Sequence, residues 1–235
     1  MTEPLAPPAP AGLWGELRGA LELPRLLLRW PQLARAPRGT GGPLMVLPGF
    51  GAGDGSTAPL RAYLGWLGHR TRGWGLGPNG GDVEALVPRL EQRVERQADR
   101  AGARLALVGW SLGGVLAREL ARERPDLVSR VVTLGSPVVG GPKYTAVADA
   151  YRRRGIDVDE IEARVAERNA EPIRVPVLAI YSRRDAVVSW RACIDEHSPD
   201  VEHVEVGATH LGLGFSPEVW RLVARAVAAP RASTA

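Results

Sequence analysis

Apolar and polar positions follow two alternating periods along most of the chain. Mainly apolar or β-branched runs at 44–47, 105–108, 130–134, 177–181 and 201–206 predict strands, several apolar on both faces, and residues 71–74 predict a further short one. Between them, apolar residues recur at helical spacing: Leu60, Tyr63, Leu64 and Leu67; Val83, Leu86, Val87, Leu90 and Val94; Leu112, Val115, Leu116 and Leu120. The first helix is predicted to be capped by Ser56 or Thr57, with Pro59 in its first turn. Asp82 caps the second, which Pro88 kinks or delays and Gly102 stops. The third runs out at Arg124 before Pro125, and Pro217 opens a last helix through Val219, Trp220, Leu222, Val223 and Val227. Strand, helix, strand, helix, strand, helix over 44–121 requires right-handed crossovers, so the fold class is α/β with a mostly parallel central sheet and helices on both faces.

The strand pattern lapses over 138–174, where residues 145–151 and 159–168 read as short charged helices. An insertion there lies over the working end of the sheet and forms a small helical cap. The domain expectation is an N-terminal tail and amphipathic segment over 1–37, then one α/β domain over 38–235 with the cap inserted. Residues 1–11, rich in Pro and Ala, are expected to be loose. Residues 12–36 carry many leucines among arginines and leave two readings open, a segment packed across the domain or a peripheral membrane contact. Pro24 and Pro31 break any long helix and favour packing.

Length changes the picture little, since 235 residues suit one such domain. The net charge of +4 is carried by arginine, with Lys143 the only lysine. Those arginines are scattered among acids with no aromatic stripe, so no nucleic-acid partner is expected. Cys193 is the only cysteine and is read as a buried structural thiol. His69, His197, His203 and His210 show no metal-binding spacing, and neither a metal nor a cofactor is expected. The first ten residues lack a signal-peptide pattern and no stretch is long enough to span a bilayer, which points to the cytoplasm with membrane association open.

The chemistry converges on Gly109-Trp110-Ser111-Leu112-Gly113, between the 105–108 strand and the following helix. A serine forced into so sharp a turn needs neighbours without a Cβ two residues either side, and Gly109 and Gly113 supply that. The helix starting beneath Ser111 directs free N–H groups and its positive end at the reacting centre. The earlier loop Pro48-Gly49-Phe50-Gly51-Ala52-Gly53-Asp54 fails as a dinucleotide fingerprint, because Asp54 stands where the third glycine belongs, and as a P-loop, because it lacks lysine. An oxyanion loop remains, using the backbone N–H of Phe50 together with that of Leu112. A serine hydroxyl needs a base, and the base needs a third group to hold it. Asp185 follows the 177–181 strand and His210 follows the 201–206 strand, both at carboxyl ends where such groups belong. Asp157, Asp195 and Asp200 are weaker acids by position, His203 belongs within its strand, and a surface pair of Asp185 with Arg183 or Arg184 is the rival structural role. Trp110, Trp74 and Trp190 are candidates for an apolar substrate pocket.

The order Ser111, Asp185, His210, with Leu47-Pro48-Gly49-Phe50-Gly51, Gly109-Trp110-Ser111-Leu112-Gly113-Gly114 and Leu134-Gly135-Ser136-Pro137, resembles the α/β-hydrolase superfamily over nearly 44–227, and within it bacterial lipases and esterases. Pro48 departs from the histidine that many lipases carry before the oxyanion glycine. The resemblance implies a serine hydrolase that cleaves carboxylic esters, on small-molecule or lipid substrates, through an acyl-enzyme on Ser111. A thioesterase, amidase, peptidase or acyltransferase uses the same triad, and a non-catalytic binding module on the same fold is the alternative from another class. Oligomeric state and acyl-chain preference are not expressed in these patterns.

Overall fold

The computed structural model describes residues 5–8, 15, 16, 19 and 21–228. The predicted loose start therefore lies largely outside the described residues, as do Leu17 and Arg18 of the amphipathic segment. In chain order the elements are α1 (Glu22–Leu28), α2 (Trp30–Leu33), β1 (Pro43–Leu47), α3 (Asp54–Trp66), β2 (Arg70–Gly73), α4 (Val83–Ala101), β3 (Leu105–Trp110) and α5 (Leu112–Glu123). There follow β4 (Val128–Leu134), α6 (Ala148–Arg153), α7 (Val158–Asn169), β5 (Val177–Tyr181), β6 (Val201–Glu205), α8 (His210–Leu213) and α9 (Pro217–Ala228).

Among the described residues the six strands form one sheet in the order β2-β1-β3-β4-β5-β6, every neighbouring pair parallel. The two-residue period of the strands divides the core in two. Leu44, Val46, Ala106, Val108, Val132 and Ile180 face α3, α9 and the N-terminal helices. Met45, Leu47, Leu105, Leu107, Val128 and Val177 face α4 and α5. Both faces are covered, as an all-parallel sheet requires.

Local chemistry explains most element ends. Asp82 caps α4 by accepting the Ala85 N–H at 3.0 Å, and Gly102 ends it in the left-handed region at φ 60°. Pro88 does not delay the helix, since α4 already begins at Val83. The expected cap of α3 at Ser56 or Thr57 is corrected: the helix begins at Asp54 after an extended Gly53. The Asp54 carboxylate is instead bonded to the N–H groups of Trp74 and Gly75, tying the helix start to the end of β2.

The two prolines split the N-terminal segment into α1 and α2. Leu26, Leu33 and Ala36 join the core beside Trp220, Val223 and Ala224 of α9, and Tyr63 donates its hydroxyl to the Leu33 carbonyl at 3.1 Å. The segment thus packs across the domain. Its outer face stays apolar nonetheless, with Leu21, Leu23, Leu27, Leu28 and Trp30 exposed.

One ion pair is nearly dry. Arg118 of α5 meets Asp195 at 2.7 Å, both side chains almost fully buried. Burial alone raises the Asp195 carboxyl pKa, but the Arg118 guanidinium and the hydrogen bonds from His197 and Ser198 outweigh it, holding the pKa well below the usual range. A pKa lowered on folding adds stability that is complete above the unfolded value near ~3.9 and lost as pH falls below it. Asp195→Asn is therefore expected to cost about 3–5 kcal/mol near neutral pH, because Arg118 keeps a buried charge without its partner. In urea unfolding, the gap between wild type and variant should narrow as the pH drops below ~4; a gap that does not vary with pH would contradict this assignment.

Candidate active site

Ser111 links β3 to α5 and, among the described residues, is the non-glycine residue with positive φ, at 53°. Such backbone strain persists only where the surroundings over-determine it. Here the Ser111 N–H donates to the Leu134 carbonyl at 2.8 Å, and the Ser111 carbonyl accepts from Gly114 at 2.9 Å. A Cβ on Gly109 would strike the Gly113 carbonyl and Gly114, and one on Gly113 would strike the Leu47 carbonyl. These two glycines permit β3, β1 and α5 to close around the serine. The N–H of Leu112 opens α5 immediately beyond Ser111, where the helix has no acceptor of its own for it.

Asp185 follows β5 and His210 opens α8 after β6, so both come from carboxyl ends of strands. Asp185 Oδ2 lies 2.6 Å from His210 Nδ1, with both side chains almost completely buried. Asp185 Oδ1 accepts the N–H groups of Val187 at 2.8 Å and Val188 at 2.7 Å, which fixes the carboxylate. The rival surface pairing of Asp185 does not form: Arg183 pairs with Glu205, and Arg184 approaches the Gly207 carbonyl. Asp195 is committed to Arg118, and His203 accepts the Asp195 N–H through Nε2 at 3.0 Å. Trp110 donates its indole N–H to the His210 carbonyl at 3.2 Å. Cys193 is buried, and burial pushes its thiol pKa well up, as expected of an inert structural thiol.

Ser111 and His210 line one cavity of about 970 Å³, together with Phe50, Leu112 and Trp110. Val138, Thr145, Tyr151, Ile161 and Val165 line it from the insertion between β4 and β5. Two of the three candidate pocket tryptophans are corrected. Trp74 is fully buried in the core cluster that includes α4 residues, its indole N–H donating to the Gly77 carbonyl. Trp190 stacks on Tyr181 at 5.8 Å, with the guanidinium groups of Arg183 and Arg191 within 4.6 Å of its ring, and does not line the cavity.

Two residues at the site escaped sequence reasoning. Asn79, fully buried, donates Nδ2–H to the Pro48 carbonyl at 2.9 Å. Its backbone accepts from Gly51 at 2.8 Å and donates to Ala52 at 2.9 Å. Asn79 thus holds the loop that presents Phe50, in a chain where Pro48 cannot donate a hydrogen bond from its backbone. Its one sequence signal is an asparagine in a glycine-rich turn, which is more often only a turn former. Asn79→Ala should lower kcat about tenfold to a hundredfold through a displaced loop. Steady-state kinetics alongside thermal unfolding measure it; an unchanged kcat in a folded variant would remove Asn79 from the site. The second residue is Glu16, whose Oε1 accepts the N–H groups of Ala186 and His210.

No family model matches the chain. It is 35% identical over 74 residues to the pimeloyl-[acyl-carrier protein] methyl ester esterase of Vibrio atlanticus, covering 32% of this chain and 27% of that protein. It is 36% identical over 93 residues to the enzyme of the same name from Aromatoleum aromaticum, covering 40% and 36%. The chain thus matches about a third of the length of these curated relatives. Among solved structures it superposes on a metagenome-derived lipolytic enzyme of the LipS and LipT pair with a TM-score of 0.62 at 15% identity, covering 82% of this chain and 94% of the other. The monoacylglycerol lipase of Paleococcus ferrophilus superposes with a TM-score of 0.59 at 20% identity, covering 82% and 95%. The chain has the α/β-hydrolase fold. Within that fold, its local sequence similarity is to carboxylic ester esterases.

Proposed function

We propose that the protein is a serine hydrolase that cleaves carboxylic esters through an acyl-enzyme on Ser111. The observation that carries this reading is the buried 2.6 Å pair of Asp185 and His210 beside the cavity that Ser111 opens into. With Nδ1–H committed to Asp185, the His210 Nε2 lone pair is the base. It takes the Ser111 proton as Oγ attacks the ester carbonyl, and the Phe50 and Leu112 N–H groups hold the oxyanion. A well-placed donor of this kind is worth about a hundredfold to a thousandfold in rate. His210 then passes the proton to the departing alcohol, and water reverses the sequence on the acyl-enzyme. Asp185 keeps the imidazole oriented and stabilises its charged form.

The apolar lining favours an acyl chain, and residues 138–174 act as its cap. The esterase names of the relatives support an ester substrate. A series of p-nitrophenyl esters from two to sixteen carbons tests the class: the cavity predicts hydrolysis that extends to medium and long chains. Hydrolysis of amides or acyl thioesters with no ester turnover would move the protein to the amidase or thioesterase class. A folded protein inert toward all of them would leave the binding-module reading.

A peripheral membrane contact is the second reading. Leu21, Leu23, Leu27, Leu28, Trp30 and Trp66 are exposed, Trp30 against Trp66, and Arg25, Arg29, Arg35 and Arg38 of the same stretch are exposed too. Apolar side chains flanked by arginines suit an anionic bilayer surface. The protein should co-sediment with phosphatidylglycerol vesicles, and a Leu27→Asp, Leu28→Asp double variant should stay in the supernatant with its soluble-ester activity intact. Equal sedimentation of the two proteins would refute the contact. Among the described residues no helix is long and apolar enough to cross a membrane.

A further inference from the structure

We propose that Glu16 is a positioning residue of the active site, a buried carboxylate that fixes the loops of Asp185 and His210 relative to each other. The inference rests on the Ser111, His210, Asp185 reading above and deepens it. Glu16 lies ahead of α1, far in sequence from both loops, yet only 5% of it is exposed. Its Oε1 accepts the Ala186 N–H at 3.0 Å and the His210 N–H at 3.1 Å. Its Oε2 accepts the Leu211 N–H at 2.8 Å. One of these donors follows Asp185 directly, another is the backbone of the base itself, and the third is its neighbour.

Each donor would otherwise be a buried or half-buried amide lacking an acceptor. The N–H groups of His210 and Leu211 open α8, where a helix has no internal acceptors to offer. Thr209 serves the later amides of the turn, Gly212 through its hydroxyl at 3.1 Å and Leu213 through its carbonyl at 2.9 Å. The two oxygens of a single carboxylate serve all three. Three amide hydrogen bonds offset the cost of burying the carboxyl group. The geometric consequence matters more than the energy. Asp185 and His210 come from different loops, and their 2.6 Å contact depends on the separation of those loops. Glu16 spans the same gap through the backbone, so the side-chain pair and the carboxylate form two parallel ties. Transfer of the Ser111 proton needs the His210 ring held to within a fraction of an ångström, and a misplacement near 1 Å can cost about a hundredfold in rate.

The test uses the full chain with Glu16→Gln and Glu16→Ala. Gln keeps one acceptor oxygen and turns an amide N–H₂ toward one of the donors, so it protects against the chance that Ala fails to fold. For each protein, kcat and KM on a p-nitrophenyl ester are measured beside Ser111 labelling by a fluorophosphonate, the thermal midpoint, and the far-downfield proton resonance of the His210–Asp185 hydrogen bond. The expected result is a kcat lowered about tenfold in Gln and about a hundredfold in Ala, with KM nearly unchanged. The downfield resonance should broaden or vanish in both, in proteins whose circular dichroism is native. A folded Glu16→Gln that keeps both kcat and the resonance overturns the positioning role while leaving Ser111 labelled and its mechanism standing. A wild type that is neither labelled nor active defeats the triad reading, and the role of Glu16 falls with it.

Discussion

Ser111→Ala is expected to lower kcat for p-nitrophenyl ester hydrolysis by about 10⁴-fold or more, with KM little changed. The size follows from what is lost: no other hydroxyl stands on the strained turn at φ 53°, facing the cavity at the start of α5. In the proposed mechanism His210, Asp185 and the N–H groups of Phe50 and Leu112 remain and sustain a residual rate over water. Alanine is smaller than serine and the glycines at 109 and 113 are untouched, so the fold should survive. Initial rates at equal concentration of folded protein measure the effect. Activity retained within tenfold would take the nucleophile away from Ser111.

Asp185→Asn should cost about 10⁴-fold in kcat at nearly unchanged volume. Asp185 Oδ1 is held by the Val187 and Val188 N–H groups, so an asparagine there keeps its carbonyl oxygen on them. Its amide N–H₂ then faces His210 Nδ1, where the carboxylate accepted a hydrogen bond. The imidazole responds by placing its proton on Nε2, and the lone pair that should receive the Ser111 proton is gone. The same change leaves packing intact, so a rate loss without a matching loss of thermal stability separates orientation of the base from general damage. A variant with near-native kcat would show that the carboxylate is structural.

The strands were legible because a parallel sheet covered on both faces demands apolar residues on both sides, and 105–108 and 177–181 supply them with few interruptions. The close approach of Gly109 and Gly113 to β1 and α5 was legible for a similar reason, since sterics leave few other residues possible there. The placement of Asp185 and His210 followed from where the strands end. Residues whose work is done through the backbone of another segment were not legible. Asn79 and Glu16 satisfy distant N–H and C=O groups, and no periodicity records which loop will arrive beside them. The start of α3 was misplaced for a related reason, because the Asp54 carboxylate serves Trp74 and Gly75 across the sheet edge. The tryptophans show the limit of composition: Trp110 lines the cavity, whereas the indole of Trp74 is as buried as any leucine of the core.

The central claim is a covalent acyl intermediate on Ser111, and intact-protein and peptide mass spectrometry after fluorophosphonate treatment tests it most directly. The account predicts one adduct per chain, located on the peptide that contains Ser111, lost in Ser111→Ala and slowed in Asp185→Asn. No adduct on a folded protein, or an adduct on another residue that survives Ser111→Ala, would contradict it.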